Sequence, residues 1–349
     1  MMQLDGRSDH WPDPQTDYER EALSFCRDWR SGRETFVLQT SGSTGTPKPI
    51  PLTRTQMQAS ARLTGQTLGL TPGDGALVCL NIRYVAGVMM LVRGLELGLR
   101  MTVVEPASDP LETLPPPIPP FDFTALVPLQ LETLLSVPGR REVLNRMKAV
   151  IVGGAAVSPA LEEALQAVQA PVYSTYGMTE TVSHIALRRL NGSDRSDLFT
   201  ALEGVELGVD DRSCLNIRSA ATDFARIQTN DVVELREGGR FRLLGRADSI
   251  INSGGLKIQP EQVEAVLSPL LAPRRYVVVG LPDERLGEQV TLVLEAEKLP
   301  EALLAEVRHL VRSQMGPFFV PRQQRTLPVF PLTPTGKIDR KTIRTTLIP

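Results

Sequence analysis

Three observations predict an α/β fold with a large N-terminal domain of mainly parallel α/β sheet, a small β subdomain within it, and a smaller, mobile α+β C-terminal domain. From Glu34 to about Val172 short apolar runs alternate with longer mixed segments, the pattern of strand and crossover helix in a parallel sheet. After Tyr176 the runs shorten and alternate, as half-buried antiparallel strands do. Past Asp248 a separate helix, strand, strand, helix texture follows, which divides the chain into residues 1–247 and 248–349.

The parallel strands are expected at Phe36–Leu38, Ala76–Leu80, Met101–Val104, Thr124–Val127 and Ala149–Val152. The stretch from Gly87 to Gly98 is apolar nearly all round, which suits a helix buried against that sheet. Glu105 to Pro120 ends in Leu114-Pro-Pro-Pro-Ile-Pro-Pro120, a run that can continue neither helix nor strand and therefore reads as a surface crossover. Gly204–Leu207, Cys214–Ile217, Asp231–Leu235 and Phe241–Leu244 are the short strands of the β subdomain. In the last hundred residues a helix begins near Pro260, strands follow at Tyr276–Val279 and Val290–Leu294, and a helix runs from about Pro300 to Ser313.

Composition narrows the function. No apolar run approaches the ~20 residues of a membrane-spanning helix, and Met1 to His10 lacks the apolar core of a signal peptide. A cytoplasmic protein without a membrane span is expected. Cys26, Cys79 and Cys214 show neither disulfide nor metal spacing and read as small buried hydrophobes of a reducing compartment. A formal charge of −2 argues against a nucleic-acid-binding face and for small-molecule partners. A homodimer is left open.

The chemistry-bearing segments are six. After the run at Phe36 comes Thr40-Ser-Gly-Ser-Thr-Gly-Thr-Pro-Lys48, in which Gly42 and Gly45 let backbone N–H groups turn toward an anion. Thr40, Ser41, Ser43 and Thr44 add donors there, and Lys48 adds a charge. The spacing is not the Walker pattern, because no Gly-Lys-Ser/Thr leads into a helix. Val152-Gly153-Gly154 permits close approach of a ligand or simply tight strand-to-helix packing. Tyr173 to Thr181 brings together an aromatic ring, a glycine turn, a hydroxyl and a carboxylate, enough to stack a base and ligate Mg²⁺ or to form an ordinary polar-rimmed turn. Thr229-Asn-Asp231 precedes an amphipathic strand and offers Asp231 to ribose hydroxyls, a bare turn being the competing view. Gly245-Arg-Ala-Asp248 with Ser253-Gly-Gly-Leu-Lys257 packs charges and glycines at the domain boundary, where a hinge absorbs backbone rotation. Near the C-terminus, Thr335-Gly-Lys337 sets a lysine on a Gly-Pro loop.

In this order and over roughly residues 35 to 345, these motifs resemble the ANL superfamily of acyl-CoA synthetases, peptide-synthetase adenylation domains and luciferases. The resemblance implies that a carboxylate attacks the α-phosphate of ATP, giving an acyl-adenylate and pyrophosphate, and that a thiol, commonly coenzyme A, then displaces AMP. It places the β- and γ-phosphates on Thr40, Ser41, Gly42, Ser43, Thr44, Gly45 and Lys48, the adenine on Gly153, Gly154 and Tyr176, and the ribose on Asp231 and Arg246. Thr179 contacts phosphate, Glu180 holds Mg²⁺, and Lys337 bridges the attacking carboxylate and the α-phosphate. Rotation about Asp248 then brings Gly254, Gly255 and Lys257 to the thiol tunnel.

The phosphate loop stands at residue 40, where the family usually has well over a hundred residues before it, so a shortened first subdomain is expected. Asn81 to Arg93 and Thr181 to Gly192 resemble the o-succinylbenzoate–CoA ligases of menaquinone and phylloquinone biosynthesis, which implies a dicarboxylate with an aromatic ring. For its second anion the cations His184, Arg83, Arg93 and Arg188 stand in the right segments, with Gly87 leaving room for the ring; surface or intramolecular ion pairs are the competing reading for the arginines. The alternatives are an adenylating ligase for another acyl or aryl acid, and a nucleotide-binding homologue without catalysis.

Overall fold

The structure, a computed structural model, describes residues 1–39, 48–333 and 338–348. Strand β1 (Met2–Asp5) is followed by helix α1 (Asp17–Arg30), which starts where the Thr16 hydroxyl accepts a hydrogen bond from the Glu19 N–H. Acidic residues in its first turn and arginines in its last complement the helix dipole, and Ala22, Leu23, Cys26 and Trp29 form its buried stripe. Next come β2 (Thr35–Gln39) and β3 (Pro49–Thr53), paired only with each other. The run at Phe36–Leu38, expected in the parallel sheet, is therefore one arm of a separate hairpin. Its partner carries Pro49 and Pro51, which lack the N–H groups a continuing ladder needs.

The parallel layer consists of β4 (Gly75–Val78), β5 (Arg100–Val103), β6 (Phe123–Leu126), β7 (Ala149–Val152) and β8 (Val172–Gly177), in spatial order β5-β4-β6-β7-β8, with β1 antiparallel on the outer side of β5. Helices α2 (Arg54–Leu68), α3 (Val85–Leu97), α4 (Pro128–Ser136), α5 (Arg140–Asn145) and α6 (Pro159–Ala164) connect them. Every residue of β4, β6 and β7 is buried, as strands covered on both faces must be. The crossover after β5 reaches inward as well, since Leu111 and Leu114 are buried in the core beneath α4 and α5.

At β8 the sheet changes character without ending. β9 (His184–Arg189) runs antiparallel to β8, and β10 (Phe199–Ala201), β11 (Glu206–Val209), β12 (Cys214–Arg218), β13 (Ile227–Arg236) and β14 (Arg240–Arg246) extend the order as β8-β9-β10-β14-β13-β12-β11. The expected β subdomain is thus hydrogen-bonded into one twelve-stranded mixed sheet, while keeping its own apolar cluster around Tyr176, Phe199 and Phe241.

The remaining chain builds a second sheet from β15 (Ile251–Ser253), β16 (Leu256–Ile258), β17 (Tyr276–Asp283), β18 (Gly287–Glu295) and β19 (Gln323–Leu327), with α7 (Pro260–Leu271), α8 (Glu301–Met315) and α9 (Arg340–Leu347) against it. Its cores, around Ile258, Leu267, Leu292 and Val307 and around Val279, Phe330 and Ile343, draw on residues after 250 only. Among the described residues no helix is long and apolar enough to cross a membrane.

Candidate active site

One arginine organises a buried polar cluster. Arg93, on α3, is 1% exposed, and its Nε donates to the Thr64 hydroxyl of α2 at 3.2 Å. Its Nη2 donates to Ser183 Oγ at 2.8 Å and reaches His184 Nδ1 at 3.5 Å, and Nη1 meets only the Met90 sulfur at 3.8 Å. Among the described residues no carboxylate forms an ion pair with it. Burial pushes its pKa down to about 9, since a charge taken from water without a counter-ion is costly. Thr64 Oγ1 donates to the Ser60 carbonyl at 3.0 Å and stands 3.2 Å from His184 Nε2. With Arg93 donating to Nδ1, that ring nitrogen accepts and Nε2 carries the proton that Thr64 accepts. Burial first, and the Arg93 charge second, hold His184 well below its usual pKa. The imidazole is neutral.

The residues expected to meet the nucleotide, Tyr176, Asp231 and Arg246, form a second chain of contacts. Tyr176 donates its hydroxyl to Asp231 Oδ2 at 2.7 Å, and Arg246 Nη1 donates to Asp231 Oδ1 at 3.1 Å. The same guanidinium grips Asp248 through Nε at 2.9 Å and Nη2 at 2.7 Å, so the expected ribose pair and the expected hinge residue are one network. Burial and the Asp231 carboxylate push the Tyr176 hydroxyl far above its usual pKa, and the Tyr176 ring packs on Phe199 and Phe241 at centroid distances of 5.8 and 5.1 Å. Beyond Asp248, the Ser249 hydroxyl lies 2.8 Å from Glu261 Oε1 at the start of α7.

Between these networks lies the turn from Gly177 to His184. A side chain on Gly177 would sit 2.2 Å from the Ser183 carbonyl, so only glycine lets β8 and β9 close here. The Thr181 hydroxyl accepts from the Met178 N–H at 3.0 Å and lies 2.8 Å from the Ser183 carbonyl. Thr179, buried, and Glu180, exposed, occupy a single 3₁₀ turn. Val182 follows in a left-handed conformation with φ +66°.

Several expected residues sit elsewhere or explain themselves by packing. Arg83 is exposed and pairs with Glu21 of α1 at 2.6 Å, away from the Arg93 cluster. Arg188 is ion-paired with Glu162 and lies over the Phe199 ring, the intramolecular alternative. The space beside Gly87 is filled, since a Cβ there would be 2.4 Å from the Asn81 carbonyl oxygen. A Cβ on Gly153 would meet Thr175 Oγ1 at 2.4 Å, and Gly154 adopts φ +84°. Gly254 and Gly255, at φ +58° and +84°, make the two-residue turn between β15 and β16, the hairpin geometry that favours glycine at both positions. Lys257 and Lys48 are exposed. Thr40, Ser41, Gly42, Ser43, Thr44, Gly45 and Lys337 lie outside the described residues. Thr64, Thr181, Val182 and Ser183 are additions that the sequence reading missed; Thr64 lies 120 positions from its His184 partner, beyond the reach of any local pattern.

Among the described residues no three His, Cys, Asp or Glu side chains gather to hold a metal. A Mg²⁺ ion whose shell is filled by phosphate oxygens and water needs as few as one protein carboxylate, and Glu180, the one expected, is exposed.

Residues 8–211 match the AMP-binding enzyme family and residues 262–337 its C-terminal domain. A probable 2-succinylbenzoate–CoA ligase of Mycobacterium tuberculosis is 30% identical over 324 residues, covering 87% of this chain and 82% of the relative. The 2-succinylbenzoate–CoA ligase of Listeria monocytogenes is 28% identical over 351 residues, 95% of this chain and 73% of that one. Among solved structures, an acyl-CoA synthetase (AMP-forming)/AMP-acid ligase II-like protein from Dyadobacter fermentans is 43% identical with a TM-score of 0.66, each chain covered to 96%. The o-succinylbenzoate CoA synthetase of Bacillus subtilis in complex with its acyl-adenylate intermediate shares the fold at 22% identity and a TM-score of 0.73, over 88% of this chain and 68% of that one.

Proposed function

The chain belongs to the AMP-binding enzyme family, and on that premise we propose that it is an ATP- and Mg²⁺-dependent acid–thiol ligase. It adenylates o-succinylbenzoate and passes the acyl group to coenzyme A, in menaquinone or phylloquinone biosynthesis. The observation that carries the choice of acid is Arg93, a buried guanidinium met only by neutral groups. A guanidinium so placed is completed by an anion, and a dicarboxylic acid brings one besides the carboxylate that reacts. Neutral His184 adds a polar wall without competing for that anion's charge. The 2-succinylbenzoate–CoA ligase relatives support the same acid.

In the first half-reaction a carboxylate oxygen bonds to the α-phosphorus of ATP and the bond to pyrophosphate breaks. Lys48 and the loop from Thr40 to Gly45 take the leaving pyrophosphate, Thr179 a phosphate oxygen, and Glu180 the Mg²⁺ ion, which supplies charge neutralisation on the phosphates. Asp231 takes the ribose hydroxyls with Arg246 beside it, Gly153, Gly154 and Tyr176 flank the base, and Lys337 brings positive charge to the pentacoordinate phosphorus. In the second, the thiol sulfur bonds to the acyl carbon and AMP leaves, with Gly254, Gly255 and Lys257 swung in by rotation of residues 248–349 about Asp248. Cytoplasmic work, in keeping with three buried free cysteines, and a homodimer are part of the proposal; sedimentation tests the dimer.

Acid-dependent ATP–pyrophosphate exchange tests the reading. Exchange is expected with o-succinylbenzoate and not with benzoate or a fatty acid. Exchange confined to a monocarboxylic acid would move the substrate, and none with any acid would overturn the ligase.

A further inference from the structure

We propose that Val182 is a positioning residue, whose strained turn sets the offset between the Thr179–Glu180 turn and the Ser183–His184 pair. The inference rests on the ligase reading above. Val182 has φ +66° and ψ −52°, and the Ser183 N–H donates across it to the Thr181 carbonyl at 2.8 Å. That is a γ-turn in its rare positive-φ form, and a β-branched residue in such a backbone is an outlier. Strain of this kind persists only where the surroundings over-determine it. Here they do. The Val182 side chain is fully buried in the main core, the Thr181 hydroxyl ties Met178 to the segment's far end, and Gly177 leaves the Ser183 carbonyl no room to retreat.

Two chemistries hang from this one residue. Glu180 lies two positions before it, on the cation and phosphate side, and Ser183, which accepts from Arg93, lies directly after it on the acid side. In-line attack needs the carboxylate and the α-phosphorus held at about 3 Å with their orbitals aligned. Relaxing Val182 to a common backbone shifts one half-site against the other while leaving each half-site's own contacts in place. The loss therefore falls on kcat and spares both KM values.

The test compares Val182→Ala with Val182→Gly by o-succinylbenzoate-dependent ATP–pyrophosphate exchange, well below the melting temperature of each. Alanine keeps the Cβ penalty at positive φ and loses the buried anchor, so kcat is expected to fall at least tenfold with KM for ATP and acid within threefold. Glycine adopts positive φ freely and is expected to recover at least threefold of that loss despite its still smaller side chain. Glycine equal to or below alanine is the order that packing alone gives and would overturn the assignment, as would a loss carried by KM or an unaffected alanine variant. Wild-type protein with no exchange on any acid would remove the ligase reading and this inference with it.

Discussion

At the scale of the residue, His184 carries a measurable sign. Its folded pKa lies well below the ordinary 6.5 because of burial and Arg93, so below pH 6.5 the unfolded chain binds a proton that the folded chain refuses. Stability then falls as pH falls. Between pH 7 and pH 5.5 this one group therefore lowers stability. Urea unfolding at the two pH values should show that drop, and His184→Asn should remove it; a slope unchanged by the substitution would mean that the imidazole is charged in the fold. Of this cluster the sequence disclosed His184 and Arg93, because both stand in segments with recognisable neighbours. It hid Thr64 and Ser183, whose roles exist only once α2, α3 and β9 pack together. Val182 gave no warning at all, since valine is the last residue expected at positive φ.

Among elements, α3 was the most legible, its apolar run matching the helix Val85–Leu97 closely. The reason for Gly87 within it was not legible, because close approach by the Asn81–Ile82 backbone is a contact across a turn. Gly87→Ala therefore tests packing. A Cβ placed 2.4 Å from a backbone oxygen must push the helix or the turn away, at a cost of about 2 kcal/mol. Thermal unfolding should show the loss; a variant as stable as wild type would mean that the turn yields freely. The hairpin of β2 and β3 was misplaced for a related reason: apolar character predicts a strand but not its partner, and the prolines of β3 decide the pairing.

For the whole molecule, sequence texture proposes a division near residue 248, and two apolar clusters draw only on residues after 250. What texture could not reveal is that Asp231 and Asp248 share one guanidinium, Arg246. In the proposed reaction the C-terminal unit turns about this point. Asp248→Pro fixes one backbone angle there and should leave pyrophosphate exchange near wild type while blocking thioester formation from supplied acyl-adenylate. Lys337→Ala should do the reverse. Equal loss of both half-reactions in either variant would contradict the division of labour.

The continuity of the twelve-stranded sheet has a consequence for change over time. Tyr176, His184, Asp231 and Arg246 stand on β8, β9, β13 and β14 of this one sheet, with Arg93 on α3 reaching the β9 end of it. A change confined to the turn between β8 and β9 leaves the Asp231–Arg246 contact in place, since that pair stands on β13 and β14. A change in strand register, by contrast, moves every group beyond it together. Changes in that turn are thereby local, while changes in the ladder are shared by every strand beyond them.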